Sequence, residues 1–180
     1  MRELALHILD IVQNSVAAGA SAVGIEIDED RDKAKDLLSI AVIDDGRGMD
    51  EDTIAKVTDP FYTTRTTRKV GLGIPLLKTG ALACGGDFAI ESRLGEGTTI
   101  SASWQWSHID RPPLGDMVST MLAILLGSEE IDFRYRHRVG AETFAFESAE
   151  MKEALDGLSF QTPEVYEWLK AFLTEGEASL

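Results

Sequence analysis

Helical and strand-like periodicities alternate along this chain. That order predicts an α/β fold, with a main domain over residues 1–110 and a small α+β appendage over residues 111–180. Three observations carry the expectation. The chain opens on an amphipathic helix, strand-like segments flank a second apolar helix, and Arg111-Pro112-Pro113 breaks both periodicities. The length of 180 residues suits one domain with an appendage, at roughly 100–200 residues per domain.

The first helix is predicted from Arg2 to Gly19, with Ala5, Ile8, Leu9, Val12 and Val16 on one face and Gly19 at its C-terminal cap. Val23 to Asp28 alternates like a strand, and Glu29 to Asp36 reads as a charged loop. Leu37 to Ile43 suits a central strand that ends abruptly in Asp44-Asp45-Gly46-Arg47-Gly48. A short helix is expected over Glu51 to Val57. Asp59 to Gly73 has no periodicity and is rich in Thr, Arg and Gly, which predicts a long mobile loop of functional use.

Ile74 to Cys84 forms the second apolar helix, with Pro75 in its first turn, where proline is tolerated. Phe88 to Ser92 and Thr98 to Trp104 then pair as a hairpin across Leu94-Gly95-Glu96-Gly97. Past the boundary come a helix (Leu114 to Leu126), two strands turning at Val139-Gly140, and helices near Met151 to Leu155 and Pro163 to Leu173.

The charge and composition exclude several classes. With 17 Lys and Arg against 31 Asp and Glu, the net charge is −14, which disfavours a nucleic-acid binder because phosphate backbones want a broad positive surface. A hydrophobic content of 44% is too high for a disordered chain. The single cysteine, Cys84, forms neither an internal disulfide nor a zinc quartet. Glu3, His7 and Asp10 interrupt the N-terminal stretch as a signal peptide, and the run from Met117 to Leu126 is too short to span a bilayer. A soluble cytoplasmic protein with no membrane partner is expected.

Four constellations carry chemistry. On the first helix Glu3, His7, Asp10 and Asn14 stack along one face, opposite the apolar one. Asp and Asn suit a helix interior poorly, and a carboxylate and an amide oxygen one turn apart suit magnesium, which keeps waters and substrate phosphates among its ligands. Asp44-Asp45-Gly46-Arg47-Gly48 lets the backbone approach a flat ligand closely, and a carboxylate there is an acceptor for an exocyclic amine. Lys69-Val70-Gly71-Leu72-Gly73 enters a helix, so backbone amides and a cation, Lys69 or Arg68, can meet phosphates. Gly95-Glu96-Gly97-Thr98-Thr99 opens a strand, where a threonine hydroxyl can donate to a base or hold a water.

Each pattern alone is weak; their order is specific. A helix with Asp10 and Asn14, then Asp44-x-Gly46-x-Gly48, then Phe61-x-Thr63-Thr64, then Gly71-Leu72-Gly73 and Gly95-x-Gly97-Thr98 resembles the GHKL superfamily. Its members, gyrase, Hsp90, histidine kinase and MutL, share the ATP-binding Bergerat fold, and the pattern lies closest to the histidine-kinase-like ATPases. The resemblance implies a two-layer α/β sandwich, with a mixed sheet carrying helices on one face and ATP between helices and a lid.

It also implies roles. Asn14 would coordinate the magnesium on the ATP phosphates, and Asp44 would accept from the adenine amine, with Gly46 and Gly48 shaping the pocket. Thr64, Lys69, Gly71, Leu72 and Gly73 would belong to the lid and its closing glycines, and Thr98 would stand on the adenine side. Asp10 takes the place of the glutamate that activates water in hydrolytic branches, one methylene shorter, and Ala17 stands where those branches often carry an aspartate. Phosphoryl transfer depends more on positioning and charge than on a strong base, which favours a kinase.

A sensor kinase carries a dimerising helical hairpin with its phosphoacceptor before this domain. This chain begins almost at the ATP-binding helix, and His7, His108 and His137 sit in no recognisable acceptor motif. The expectation is therefore a stand-alone Mg-ATP-dependent protein kinase acting in trans on an unidentified partner protein, with a homodimer as one form it can take. An ATP-hydrolysing switch and a nucleotide-dependent regulator resembling anti-sigma factors are the alternatives. In the appendage, Arg134, Arg136 and Arg138 alternate on one strand face with Phe133, Tyr135, His137 and Val139 on the other. That arginine row reads as an exposed face, or more sharply as a docking patch for an acidic partner.

Overall fold

The computed structural model describes residues 3–59 and 73–180. The first part of the chain runs α1 (Leu4–Ala17), β1 (Ala22–Asp30), β2 (Leu37–Asp44), α2 (Glu51–Val57), α3 (Gly73–Ala83), β3 (Phe88–Arg93) and β4 (Gly97–Gln105). The second part runs α4 (Met117–Gly127), β5 (Asp132–Val139), β6 (Glu142–Glu147), α5 (Ser148–Ala154) and α6 (Pro163–Ala178). All six strands join one open sheet in the order β3-β4-β2-β1-β5-β6. β5 runs parallel to β1 and the other neighbours are antiparallel, so the sheet is mixed. It carries its main helices on one face, as an α/β sandwich of two layers.

Alternation decides which face is buried. Val23, Ile25 and Ile27 of β1, Leu38, Ile40 and Val42 of β2, and Phe133 and Tyr135 of β5 point to the helices and are nearly inaccessible. Leu4, Ala5, Ile8, Ile11 and Val12 of α1 meet them, together with Leu77 and Ala81 of α3 and Met121 and Leu125 of α4. α1 ends in a Schellman motif at Gly19, whose φ is +76°: Gly19 N donates to Val16 O and Ala20 N to Ser15 O. Its first amides are satisfied from far along the chain, Leu4 N by Pro113 O at 3.0 Å and Ala5 N by Leu114 O at 2.7 Å.

The segment expected as a charged loop from Glu29 begins instead as strand, because β1 continues to Asp30. Glu29 stands on the core face at 6% exposure and is sustained by Trp106, Arg31 and His137. α4 starts at Met117 rather than Leu114: Gly115 turns with φ +90° and the Asp116 carboxylate caps the helix by accepting from Ser119 N at 2.9 Å. α5 begins earlier and α6 runs longer than expected, to Ala178. The connection around residue 111 lies between β4 and α4, and beyond it β5 and β6 continue the sheet begun by residues 22–105.

The arginine row is a correction. Arg136 pairs with Glu26 at 2.8 Å and Asp28 at 3.2 Å, and Arg138 pairs with Asp28 as well, so two of the three arginines are met by the acidic row of neighbouring β1. The register Glu26↔Arg136 and Asp28↔Arg138 puts opposite charges directly side by side. Arg134 is exposed. No helix among the described residues is long and apolar enough to cross a membrane.

Candidate functional site

A cavity of about 560 Å³ opens between α1, the C-terminal end of β2, the start of β4 and the start of α3. Its polar wall holds Asp10, Asn14, Ser15, Asp44 and Thr98, and its apolar wall includes Ile11, Ile74 and Ile100. That size and mixture suit a drug- or nucleotide-sized ligand. The structure thus brings Asp10, Asn14, Asp44, Gly48, Gly73 and Thr98 to one place, from positions spread over most of the first hundred residues. Thr64, Lys69, Gly71 and Leu72 lie outside the described residues, as do Phe61, Thr63 and Arg68.

Asp44 ends β2 half-buried. Its Oδ2 accepts from Ser15 Oγ at 2.6 Å and its Oδ1 from Gly46 N at 2.9 Å, so two protein donors orient the carboxylate while it borders the cavity. The following loop is held rigidly. Asp45 turns away and accepts from Ser21 N at 2.7 Å, Ala22 N at 2.9 Å and the Ser21 hydroxyl, and these bonds hold its carboxyl below the usual range. Gly46 lies between Ala18 and Asp44, and Arg47 N donates to Ala18 O at 3.0 Å. Gly48 has φ +67°, and a side chain there would overlap the Arg93 carbonyl, so only glycine lets this loop lie on the β3–β4 turn.

The polar stripe of α1 runs from a seam between helices at His7 to an exposed cavity wall at Asn14. His7 is 5% exposed, and its Nδ1 stands 3.3 Å from the Gly73 carbonyl oxygen. A carbonyl only accepts, so Nδ1 carries the proton, and burial holds the ring below its ordinary pKa. Among its described contacts His7 holds the start of α3. Asp10 is half-buried, and burial raises its carboxyl pKa against an opposing effect of His7. Any Cβ at Gly73 would overlap the Asp10 carboxylate, so the helix can begin this close to α1 only with glycine at that position.

Asn14 follows Asp10 by one turn and is exposed on the cavity wall. Among the described residues no group of three or more His, Cys, Asp or Glu is placed to build a protein-only metal centre. A single amide oxygen facing a cavity nevertheless fits magnesium, which draws most of its ligands from water and phosphate. Thr98 is 9% exposed and stands directly across from Asp44 in the β2–β4 register.

Sequence reasoning missed Ser15, Asp45 and Ser92. Ser15 sits one residue past Asn14, off the polar stripe that drew attention to this helix. Ser92 pairs with Thr98 in the β3–β4 register, and only that register reveals it.

Fold and cavity together define a mixed-sheet α/β sandwich with a nucleotide-sized site at its strand ends. The sequence profile of the histidine kinase-, DNA gyrase B-, and HSP90-like ATPases matches residues 2–107, and the chain belongs to that family of ATPase domains.

Two curated relatives are similar in sequence. The non-motile and phage-resistance protein of Caulobacter vibrioides is 29% identical over 119 residues, covering 62% of this chain and 14% of that protein. The sensor histidine kinase WalK of Bacillus subtilis is 33% identical over 101 residues, covering 53% of this chain and 16% of WalK. The chain therefore spans about a seventh of these relatives. The Aquifex aeolicus MutL ATPase domain complexed with ADP shares the fold, with a TM-score of 0.53 and 18% identity over 87% of this chain and 68% of that one.

Proposed function

We propose that this chain binds Mg-ATP in the cavity between α1, β2, β4 and α3 and passes the γ-phosphoryl group to a separate protein. The observation that carries the reading is the Asp44 carboxylate: it is oriented by Ser15 and Gly46 N at the rim of a nucleotide-sized cavity, within a family of ATPase domains. On this reading Asp44 accepts from the adenine amine, Gly46 and Gly48 bring the backbone up to the base, and Thr98 stands beside Asp44. Asn14 would hold a magnesium ion, which supplies positive charge to the phosphates. The family resemblance assigns Thr64, Lys69, Gly71 and Leu72 to nucleotide binding, and Gly73 sets the start of α3 against Asp10.

Transfer to another protein is favoured over transfer within the chain because its histidines are engaged elsewhere. His7 serves Gly73, His137 stands between Glu29 and Glu177, and His108 Nδ1 accepts from Asp110 N at 3.2 Å. The name of WalK, a sensor histidine kinase, supports only the kinase part of the reading.

Thermal melting with Mg-ATP, Mg-ADP and Mg-GTP tests the shared core. A ligand at ~100 times its dissociation constant stabilises by about 2.7 kcal/mol, and an absent shift with adenine nucleotides overturns the reading. Incubation with γ-labelled ATP and a lysate of the source organism then tests transfer; label on no protein overturns the kinase.

One observation favours hydrolysis as a second reading: Asp10, raised by burial, borders the same cavity and is a candidate base. Phosphate release unchanged in Asp10→Asn would remove it.

A further inference from the structure

We propose that Ser92 is a positioning residue that locks the Thr98 hydroxyl into an acceptor, so that the base corner of the cavity presents acceptors alone and selects a purine with an exocyclic amine over one with a keto oxygen. The inference rests on the nucleotide reading above and deepens it. It follows from counting protons.

Ser92 Oγ has three polar neighbours at the same distance: Met49 N, Gly97 O and Thr98 Oγ1, each 2.8 Å away. A hydroxyl owns one proton and two lone pairs. The Met49 amide can only donate and fills one lone pair. The Gly97 carbonyl can only accept and takes the single proton. One lone pair remains, and the Thr98 contact at 2.8 Å therefore needs the Thr98 proton.

The opposite assignment, with Ser92 donating to Thr98, would leave Ser92 Oγ and the Gly97 carbonyl oxygen at 2.8 Å with no hydrogen between them. Two oxygens at that distance without a proton between them repel, and the first assignment avoids this. Thr98, buried to 9% exposure, is thus committed as a donor toward Ser92 and offers only lone pairs elsewhere.

Register completes the argument. Asp44 lies opposite Thr98, and Thr98 lies opposite Ser92, so the three form one row across β2, β4 and β3. An ionised carboxylate only accepts. A 6-amino purine brings N–H groups to this corner; a 6-keto purine brings an acceptor against acceptors. The Thr98 hydroxyl, expected from sequence either to donate to a base or to hold a water, is left with the accepting role.

The test compares affinities for Mg-ATP and Mg-ITP, which differ at the 6-position of the base and share the triphosphate. Any general loss of folding or phosphate binding weakens both, so only their ratio reports hydroxyl direction. Wild-type protein is expected to prefer ATP. In Ser92→Ala the Thr98 hydroxyl can turn and donate, and the ratio should fall roughly tenfold, about what one ordinary hydrogen bond carries. Ser92→Thr keeps a hydroxyl and should restore the ratio. Adding Ser92→Ala to Thr98→Val should leave the ratio of Thr98→Val unchanged.

An unaltered ATP/ITP ratio in Ser92→Ala overturns the proposal while leaving the nucleotide reading standing. If that variant does not fold, Thr98→Val decides, since it too must lower the ratio, and an unchanged ratio there overturns the proposal. Wild-type protein that binds no adenine nucleotide overturns the nucleotide reading itself, and this inference with it.

Discussion

Two polar clusters sit on the same sheet and are built for opposite ends. At the end of β2 and the start of β4, Asp44 and Thr98 take protein partners on one side and border a cavity on the other. Further along the sheet, Glu29 of β1, Tyr135 and His137 of β5, and Glu177 of α6 turn toward one another. His137 Nδ1 meets Glu177 at 3.0 Å and its Nε2 meets Glu29 at 3.4 Å. Tyr135 Oη donates to Glu177 at 2.6 Å, and Trp106 Nε1 and Arg31 donate to Glu29.

The second cluster shows the larger displacements of titration. Burial opposes the charge on His137, yet its bonds and proximity to both carboxylates raise its pKa to about 9. Burial likewise opposes the charge on Glu29, and His137, Trp106 and Arg31 still lower it to about 2. A perturbed pKa therefore does not mark the site in this molecule. What separates the clusters is where their unspent hydrogen-bonding capacity points: inward in one, into a cavity in the other.

The comparison breaks first at His137. Replacing it in His137→Leu removes the cation shared by buried Glu29 and half-buried Glu177. Loss of one partner of a fully buried pair costs roughly 3–5 kcal/mol, and Arg31, still paired with Glu29, brings the cost below that. Chemical denaturation should show that loss, while Mg-ATP affinity in the folded fraction stays within about twofold, the scatter of distant independent sites. A proportionate loss of nucleotide binding would mean that the two clusters are one unit.

Asp44→Asn should do the reverse. The adenine-dependent stabilisation, about 2.7 kcal/mol at saturating ligand, should vanish because an amide can turn a donor toward the base amine. The melting temperature without nucleotide should change far less. A retained shift with Mg-ATP would remove Asp44 from the base-reading role.

Much of this contrast was legible in the sequence, for a physical reason. Alternation in β2 and the 3.6-residue period of α1 report burial directly, and glycines at 48 and 73 mark close approaches that leave no room for a Cβ. Asp10 and Asn14 were legible because their residue types suit a helix interior poorly, and Asp44 and Thr98 because their motifs follow in a specific order. Glu29 was not. A glutamate in an acidic stretch reads as solvated, and its burial depends on Trp106 and His137, which approach it from 77 and 108 residues away. The parallel pairing of β5 on β1 is hidden for the same cause: no local pattern encodes a partner more than a hundred residues distant. Ser92 shows the limit at short range, since a serine in an edge strand means nothing until register places it beside Thr98.

A milder perturbation separates the clusters by pH. The folded pKa of His137 is raised from 6.5 to about 9, so its contribution to stability is complete below about pH 6.5 and fades as pH rises through 9. Glu29, lowered from 4.5 to about 2, contributes above about pH 4.5 and loses that contribution only as pH falls toward 2. Stability measured between pH 6.5 and 9.5 should therefore decline in the wild type, and the His137-dependent part of that slope should be absent from His137→Leu. An identical slope in both would assign the decline to other groups.

The smallest effect belongs to the paired charges on the helix-free face. Arg136 bonds Glu26 and Asp28, yet its side chain is 38% exposed and that of Glu26 43%, so solvent screens the attraction. Exposed pairs contribute about 0–1 kcal/mol, and Arg136→Gln should cost no more than this. Salt supplies the control. Raising ionic strength should narrow the difference between wild type and Arg136→Gln, since screening acts on exposed charges, and should change the cost of His137→Leu much less because His137 and Glu29 are buried. A large, salt-insensitive loss in Arg136→Gln would place the arginine row among the internally closed networks and extend the second cluster across both faces of β1 and β5.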